Sequence, residues 1–110
     1  MKVTRATEAK QYEALGHYDV RTLRLHNPVD VEEGKITMGI SHFLPGGGAE
    51  FGKAPAELLY YIISGEMTVT TEKDVFVLKA GDSIHFAAGE GRESKNNTVL
   101  PASMLVVLVK

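Results

Sequence analysis

The stretch LLYYIISGEMTVTTEKDVFVLKAGDSIHF, residues 58–86, decides the fold class of this 110-residue chain. Its apolar runs are short and are separated by residues that favour turns, such as Gly65-Glu66 and Ala80-Gly81-Asp82. The predicted strands are Leu58 to Ser64, Met67 to Thr71, Val75 to Leu78 and Ser83 to Ala87. Short strands at intervals of about 8–12 residues indicate an all-β sandwich or closed barrel rather than alternating strands and helices.

The β pattern continues on both sides of this stretch. Before it, Ile36 to Leu44 is a predicted strand that Pro45-Gly46-Gly47-Gly48 ends. After it, a loop over Ala88 to Glu93 precedes the final strands over Asn96 to Val109. The chain length allows one domain only, and the pattern places its barrel in residues 36–110.

Residues 1–35 are predicted to form an arm that packs on the barrel. Thr7 is expected to cap a short helix from Glu8 to Leu15. The segment from Asp19 to His26 alternates as a strand does, and a polar turn from Asp30 to Lys35 leads into the barrel.

Composition argues against several classes of function. The net charge of −2 gives no electrostatic case for binding nucleic acid or an anionic membrane. The absence of cysteine excludes disulfides, thiolate metal ligands and a thiol nucleophile. No signal peptide is visible, and the longest apolar run, Met104 to Val109, is far too short to cross a bilayer. We therefore expect a soluble, cytoplasmic protein with no nucleic-acid or membrane partner.

The turn residues fall at the spacing of two known motifs. The first motif, G-x5-H-x-H-x3-E-x6-G, fits without a gap from Gly46 to Gly65. The second, G-x5-P-x-G-x2-H-x3-N, starts at Gly81 and reaches Gly89 and Asn96 in register. Residues 36–109 thus resemble the cupin superfamily, which implies a double-stranded β-helix, or jelly-roll barrel, with a lumen between two sheets, and often a homodimer.

The metal-ligand positions of these motifs carry other residues in this chain. Gly52 and Ala54 stand where the family has histidines, Leu58 replaces the glutamate, and Arg92 replaces the last histidine. A metal site needs lone pairs from imidazole, thiolate or carboxylate groups, and a guanidinium supplies only donors and a positive charge. The sequence therefore predicts a barrel with no metal and no other cofactor. A site rebuilt from His42, His85 and Glu57 is the weaker alternative.

Strand alternation predicts which side chains face the lumen. If Leu58 points inward, Tyr60 and Ile62 do so too. Arg92 and Asn96 follow in the second motif. The Arg92 cation is able to contact a ligand, and the Asn96 amide is able either to hold Arg92 or to contact the ligand itself. These five residues form the predicted ligand site, which suits a small organic carboxylate or phosphate. The alternative is that Arg92 lies in a solvated loop and pairs with a neighbouring glutamate.

Two histidines are candidate acid–base residues. His42 shares the parity of Met38, Ile40 and Leu44, so it is expected on the core side of its strand, where packing is the commoner role. The side that His85 faces is left open by its neighbours. If both entered the lumen, either could act as a general base with Tyr60 as the acid partner.

The final strand is apolar on both faces from Met104 to Val109. A strand with one face in water would alternate. We therefore expect its second face to be covered by the N-terminal arm or by a second subunit, and we predict a homodimer.

Three functions from different classes remain open on the sequence alone. The leading hypothesis is a metal-free cupin that binds a small organic anion in its lumen. The second is a metal-independent isomerase, epimerase or lyase that uses histidine and tyrosine. The third is a structural or regulatory homodimer whose lumen is filled by side chains.

Overall fold

The structure, a computed structural model, describes residues 1–27 and 34–110. Most of the predicted polar turn from Asp30 to Lys35 lies outside the described residues. The elements are a 3-10 turn at Ala6–Glu8, β1 Lys10–Tyr12, β2 His17–His26, β3 Ile36–Lys53, β4 Glu57–Ser64, β5 Glu66–Thr71, β6 Val75–Lys79, β7 Ser83–Phe86, β8 Gly91–Lys95 and β9 Ala102–Val109. In these parts of the chain no helix is long and apolar enough to span a membrane.

One antiparallel sheet curls into a nearly closed barrel. Its strand order is β6-β5-β8-β3-β9-β4-β7, and β2 pairs with β3 while β1 pairs with β2. The predicted all-β barrel is therefore confirmed. Strands β6 and β7 end this order, so the barrel opens along the seam between them.

The long strand β3 joins the two halves of the barrel. Its first part, Ile36 to Phe43, pairs with β9, and its second part, Gly48 to Lys53, pairs with β8. Between them the chain turns at Gly46, whose φ is +83°. The prediction that the glycine run ends this strand is wrong, because the glycines bend the strand and both flanks stay paired.

The predicted helix from Glu8 to Leu15 is wrong. One 3-10 turn at Ala6–Glu8 is followed by β1, which pairs with β2 from Lys10↔Arg24 to Tyr12↔Thr22. So short a helix is marginal in water, and strand pairing satisfies the same backbone groups. The ring of Tyr12 also lies 4.0 Å from the Arg24 guanidinium carbon, a cation–π contact that favours the strand.

The predicted loop from Ala88 to Glu93 is too long. Strand β8 already begins at Gly91 and is bonded to both β3 and β5. Arg92 therefore lies in a central strand of the barrel. Its cross-strand partners are Gly52 and Thr71.

The core fills the barrel. Its buried apolar residues are Phe43, Ala54, Leu58, Tyr60, Ile62, Met67, Val69, Phe86, Ala102 and Met104. On β3 the inward-pointing side chains are those at alternate positions such as Ser41 and Phe43, which are 3% and 1% exposed. His42 consequently faces the outer side, and the prediction that it faces the core is wrong.

Candidate functional site

Strand β4 places its side chains as alternation predicts. Leu58, Tyr60 and Ile62 are at most 5% exposed and line the barrel interior. The residues between them, Leu59, Tyr61 and Ile63, are 40–46% exposed on the outer face.

Arg92 points into the barrel and contacts Tyr60. It has the inward parity of Ser94 and Asn96, which are buried. Its Nε donates to Tyr60 Oη at 3.2 Å, and its Nη1 donates to the Gly52 carbonyl at 3.0 Å. No carboxylate of residues 1–27 or 34–110 lies within 4.0 Å of its guanidinium. The alternative of a solvated loop in which Arg92 pairs with Glu90 or Glu93 is therefore wrong.

Tyr60 is held neutral at physiological pH. Burial removes water from the phenol and raises its pKa above the usual value of 10.0, although the nearby Arg92 charge partly opposes that shift. The hydroxyl accepts the Arg92 bond and stays protonated, so it retains a donor for a second partner.

The residues at the family's ligand positions do not fit a metal ion. Gly52 and Ala54 carry no donor atoms, Leu58 presents hydrocarbon, and Arg92 brings a positive charge to the same region. The alternative set of His42, His85 and Glu57 does not converge, and in the described parts of the chain no three His, Asp or Glu side chains are grouped to hold a metal.

Two aromatic rings fill the lumen beside Arg92. The rings of Tyr60 and Phe86 meet edge to face, with centroids 5.3 Å apart and planes at 69°. Both side chains are at most 5% exposed.

A cavity of about 640 Å³ opens in front of these rings, along the seam between β6 and β7. Phe76, Ile84 and Phe86 form its apolar wall. Its polar rim comes from the end of β5, the β5–β6 turn, β7 and the loop after β7. The rim residues are Thr71, Glu72, Lys73, Asp74, His85 and Glu90. We call this space the mouth cavity.

The two candidate histidines lie away from Arg92. His42 Nδ1 is 2.7 Å from Ser103 Oγ on the outer face of β3 and β9. His85 lies between the inward Ile84 and Phe86 and pairs through Nε2 with Glu57 Oε2 at 2.8 Å, with both side chains about half exposed. The structure does not bring either imidazole to Tyr60.

Asn96 has a different set of partners from the one predicted. Its Nδ2 donates to the Phe43 and Leu100 carbonyls, and its Oδ1 accepts from the backbone and hydroxyl of Thr98. The side chain is 0% exposed, and these hydrogen bonds go to Phe43, Leu100 and Thr98 rather than to Arg92. Its hydrogen bonds hold the β8–β9 loop.

A family model for the cupin domain matches residues 39–108. The chain belongs to the cupin family. This cupin is 37% identical over 108 residues to a Mycobacterium tuberculosis protein named β-D-galactosidase, and the match covers 98% of this chain and 93% of that protein.

Solved cupins share the architecture. A predicted oxalate decarboxylase from Thermotoga maritima superposes with a TM-score of 0.84 at 21% identity, covering 98% of both chains. The polyketide cyclase RemF from Streptomyces resistomycificus superposes with a TM-score of 0.85 at 18% identity, covering 99% of this chain and 79% of that one. At such low identity the likeness shows the fold alone, and it confirms the jelly-roll prediction.

Sequence reasoning missed the mouth cavity. Phe76 and Ile84 lie on β6 and β7, which are distant in the sheet order and close around the open seam. Directly paired residues of neighbouring strands point to the same face of a sheet. Phe76 pairs with the inward Val69 and Ile84 with the inward Tyr60, so both point inward as well. No local sequence pattern marks the seam itself.

Proposed function

We propose that this cupin binds a small organic anion at Arg92 without a metal ion. The observation that carries the proposal is a half-buried guanidinium with no carboxylate partner in the described residues, at a family ligand position. A guanidinium that is partly removed from water loses hydration, and the two neutral oxygen acceptors that it contacts replace only part of that stabilisation. A carboxylate or phosphate would supply the rest through a charge-assisted hydrogen bond.

Thermal unfolding with small carboxylates and inorganic phosphate tests this proposal. An anion at about five times its Kd should stabilise the wild type by about 1 kcal/mol, which raises Tm by roughly 4–8 °C. Arg92→Ala should abolish the shift, whereas Arg21→Ala, which removes an exposed arginine on β2, should keep it. Equal shifts in wild type and Arg92→Ala, or none with any anion, would reject the site.

Hydrolysis of a β-galactoside is a second candidate function. It is favoured by the 37% identical relative named β-D-galactosidase and by the carboxylates of Glu72, Asp74 and Glu90 around the mouth cavity. Glycosidases commonly use a pair of carboxyl groups on either side of the scissile bond.

Turnover of a chromogenic aryl β-D-galactoside tests the second candidate. Replacing the two working carboxylates among Glu72, Asp74 and Glu90 by their amides should lower kcat by at least about 100-fold each. Glu93→Gln, an exposed position outside the cavity, is the matched control. An inactive wild type, or activity indifferent to all three changes, would rule this function out.

The predicted homodimer remains a proposal, with the outer face of β3, β9 and β4 as its contact. Leu59, Tyr61, Ile63 and Ile36 are 40–46% exposed there. The half-buried Met38, Ile40, Leu105, Val107 and Val109 share this face. Exposed apolar sheet faces of this kind mark interaction sites, and a second copy would cover the face by sheet-on-sheet packing. If the protein is only structural, as in the third hypothesis, such a dimer with a lumen filled by side chains is the form that we expect.

Sedimentation equilibrium tests the dimer. The wild type should have twice the chain mass at micromolar concentration, and Tyr61→Lys should be monomeric because it buries an unpaired charge in the contact. Val77→Lys, at an outward position of β6 that is 53% exposed, should leave the dimer intact. A monomeric wild type would contradict the proposal.

A further inference from the structure

Two aromatic side chains, Phe86 and Tyr60, connect the mouth cavity to Arg92. Phe86 lines the cavity, and its ring also contacts Tyr60, whose hydroxyl accepts the bond from Arg92. Gly91 and Thr71, which are the chain neighbour and a cross-strand partner of Arg92, both line the cavity. Arg92 therefore lies near the cavity, and Phe86 and Tyr60 link its guanidinium to the cavity wall.

The backbone on both sides of Phe86 is anchored. Phe86 ends β7, an edge strand that pairs only with β4. The loop that follows is fixed by backbone bonds from Gly89 to Ala54 and from Ala54 to Glu90. Because the backbone is anchored on both sides, a rotation of the ring away from Tyr60 is the movement that would open a path from the cavity to Arg92.

The walls of the cavity indicate which kind of chemical group a ligand places there. Phe76, Ile84 and Phe86 offer apolar surface from the two edge strands that face each other. The volume of 640 Å³ falls inside the range of about 300–1,000 Å³ typical of small-molecule sites. An aromatic ring or a similar apolar group fits this surface better than a small hydrophilic anion does.

The two ends of the site carry opposite charge. Among the described residues, the rim carries the carboxylates of Glu72, Asp74 and Glu90 and the ammonium of Lys73. Arg92 lies at the inner end. A negative group at the inner end is attracted, and a second negative group at the outer end is repelled. The site therefore favours one anionic group per ligand, directed inward.

We propose that the ligand is an aromatic monocarboxylic acid whose ring occupies the mouth cavity, whose carboxylate pairs with Arg92, and whose entry requires Phe86 to swing aside. This inference rests on the proposed anion site at Arg92 and adds the ligand class and the residue that controls access.

Calorimetry with four defined acids tests the ligand class. Benzoate should bind the wild type at least about tenfold more tightly than acetate, because its ring is buried against apolar side chains. Terephthalate should bind at least about tenfold more weakly than benzoate, and 4-(aminomethyl)benzoate should not be weakened in this way, because only the former carries a second negative charge to the rim. Arg92→Ala should remove binding of all four acids.

Stopped-flow tyrosine fluorescence tests the role of Phe86. Phe86→Ala and the milder Phe86→Leu should raise the association rate constant for benzoate, by about tenfold for the former. Leu44→Ala, which removes an exposed apolar side chain of β3 outside the cavity, should leave the rate unchanged. Unchanged rates in both Phe86 variants would reject the gate.

The calorimetry separates the ligand class from the anion site. If acetate and terephthalate bound as tightly as benzoate, and all three bound through Arg92, the ligand class would be rejected while the anion site stands. Acid binding that is insensitive to Arg92→Ala would instead reject the anion site itself.

Discussion

Gly65→Ala should lower the free energy of unfolding by about 2–5 kcal/mol. Gly65 joins β4 to β5 with φ at +78°, in the left-handed region that costs an alanine about 1–2 kcal/mol. An added Cβ would also lie 2.6 Å from the Pro101 carbonyl oxygen and 2.8 Å from the Ala102 Cα. Both are backbone atoms, one just before β9 and one at its first residue, so the central strand itself would have to shift.

Gly81→Ala separates the two contributions. Gly81 has a similar φ of +92°, but an added Cβ would meet nothing within 4 Å. This variant should therefore show only the conformational cost of about 1–2 kcal/mol. Equilibrium urea unfolding of both variants measures the difference, and equal losses would mean that the contact between Gly65 and β9 is unimportant.

Asn96→Ala should be similarly damaging, with a loss of about 2–4 kcal/mol. The side chain is fully buried and makes hydrogen bonds of 2.7–3.4 Å to Phe43, Thr98 and Leu100. Its removal leaves carbonyl and amide groups of the β8–β9 loop without their partner and opens a cavity beside Phe43.

Asn97→Ala is the matched control for this loop. Asn97 is exposed, and its replacement should change the free energy of unfolding by no more than about 0.5 kcal/mol. The comparison uses the same urea unfolding measurement on both variants. If Asn96→Ala were as mild as Asn97→Ala, the buried hydrogen bonds would not be what holds the loop.

Part of the candidate site could be predicted from the sequence. The alternation along β4 placed Leu58, Tyr60 and Ile62 inward, because the side-chain period of a strand is a local property. The motif register placed Arg92 in the same interior as Tyr60, and their hydrogen bond agrees with that placement. Binding of a ligand there stays a prediction.

The same reasoning failed where both faces of a strand are apolar or where pairing overrides local preference. On β3 the outward Met38 and Ile40 are apolar, whereas the inward Thr37 and Ser41 are polar and buried. Periodicity therefore indicated the wrong face for His42. The partner of Asn96 was also missed, because Thr98 and Leu100 reach it only through the conformation of the loop.

The sequence by itself determined an all-β barrel, most of its strands and the loss of metal-binding side chains, because turn glycines, period-two alternation and donor chemistry are properties of single residues and near neighbours. Tertiary structure alone decided that residues 10–12 form a strand, that β3 continues through its glycines, and that β6 and β7 leave a seam with a cavity. Each of these depends on pairing between segments far apart in the chain, where long-range hydrogen bonds and packing outweigh local propensity.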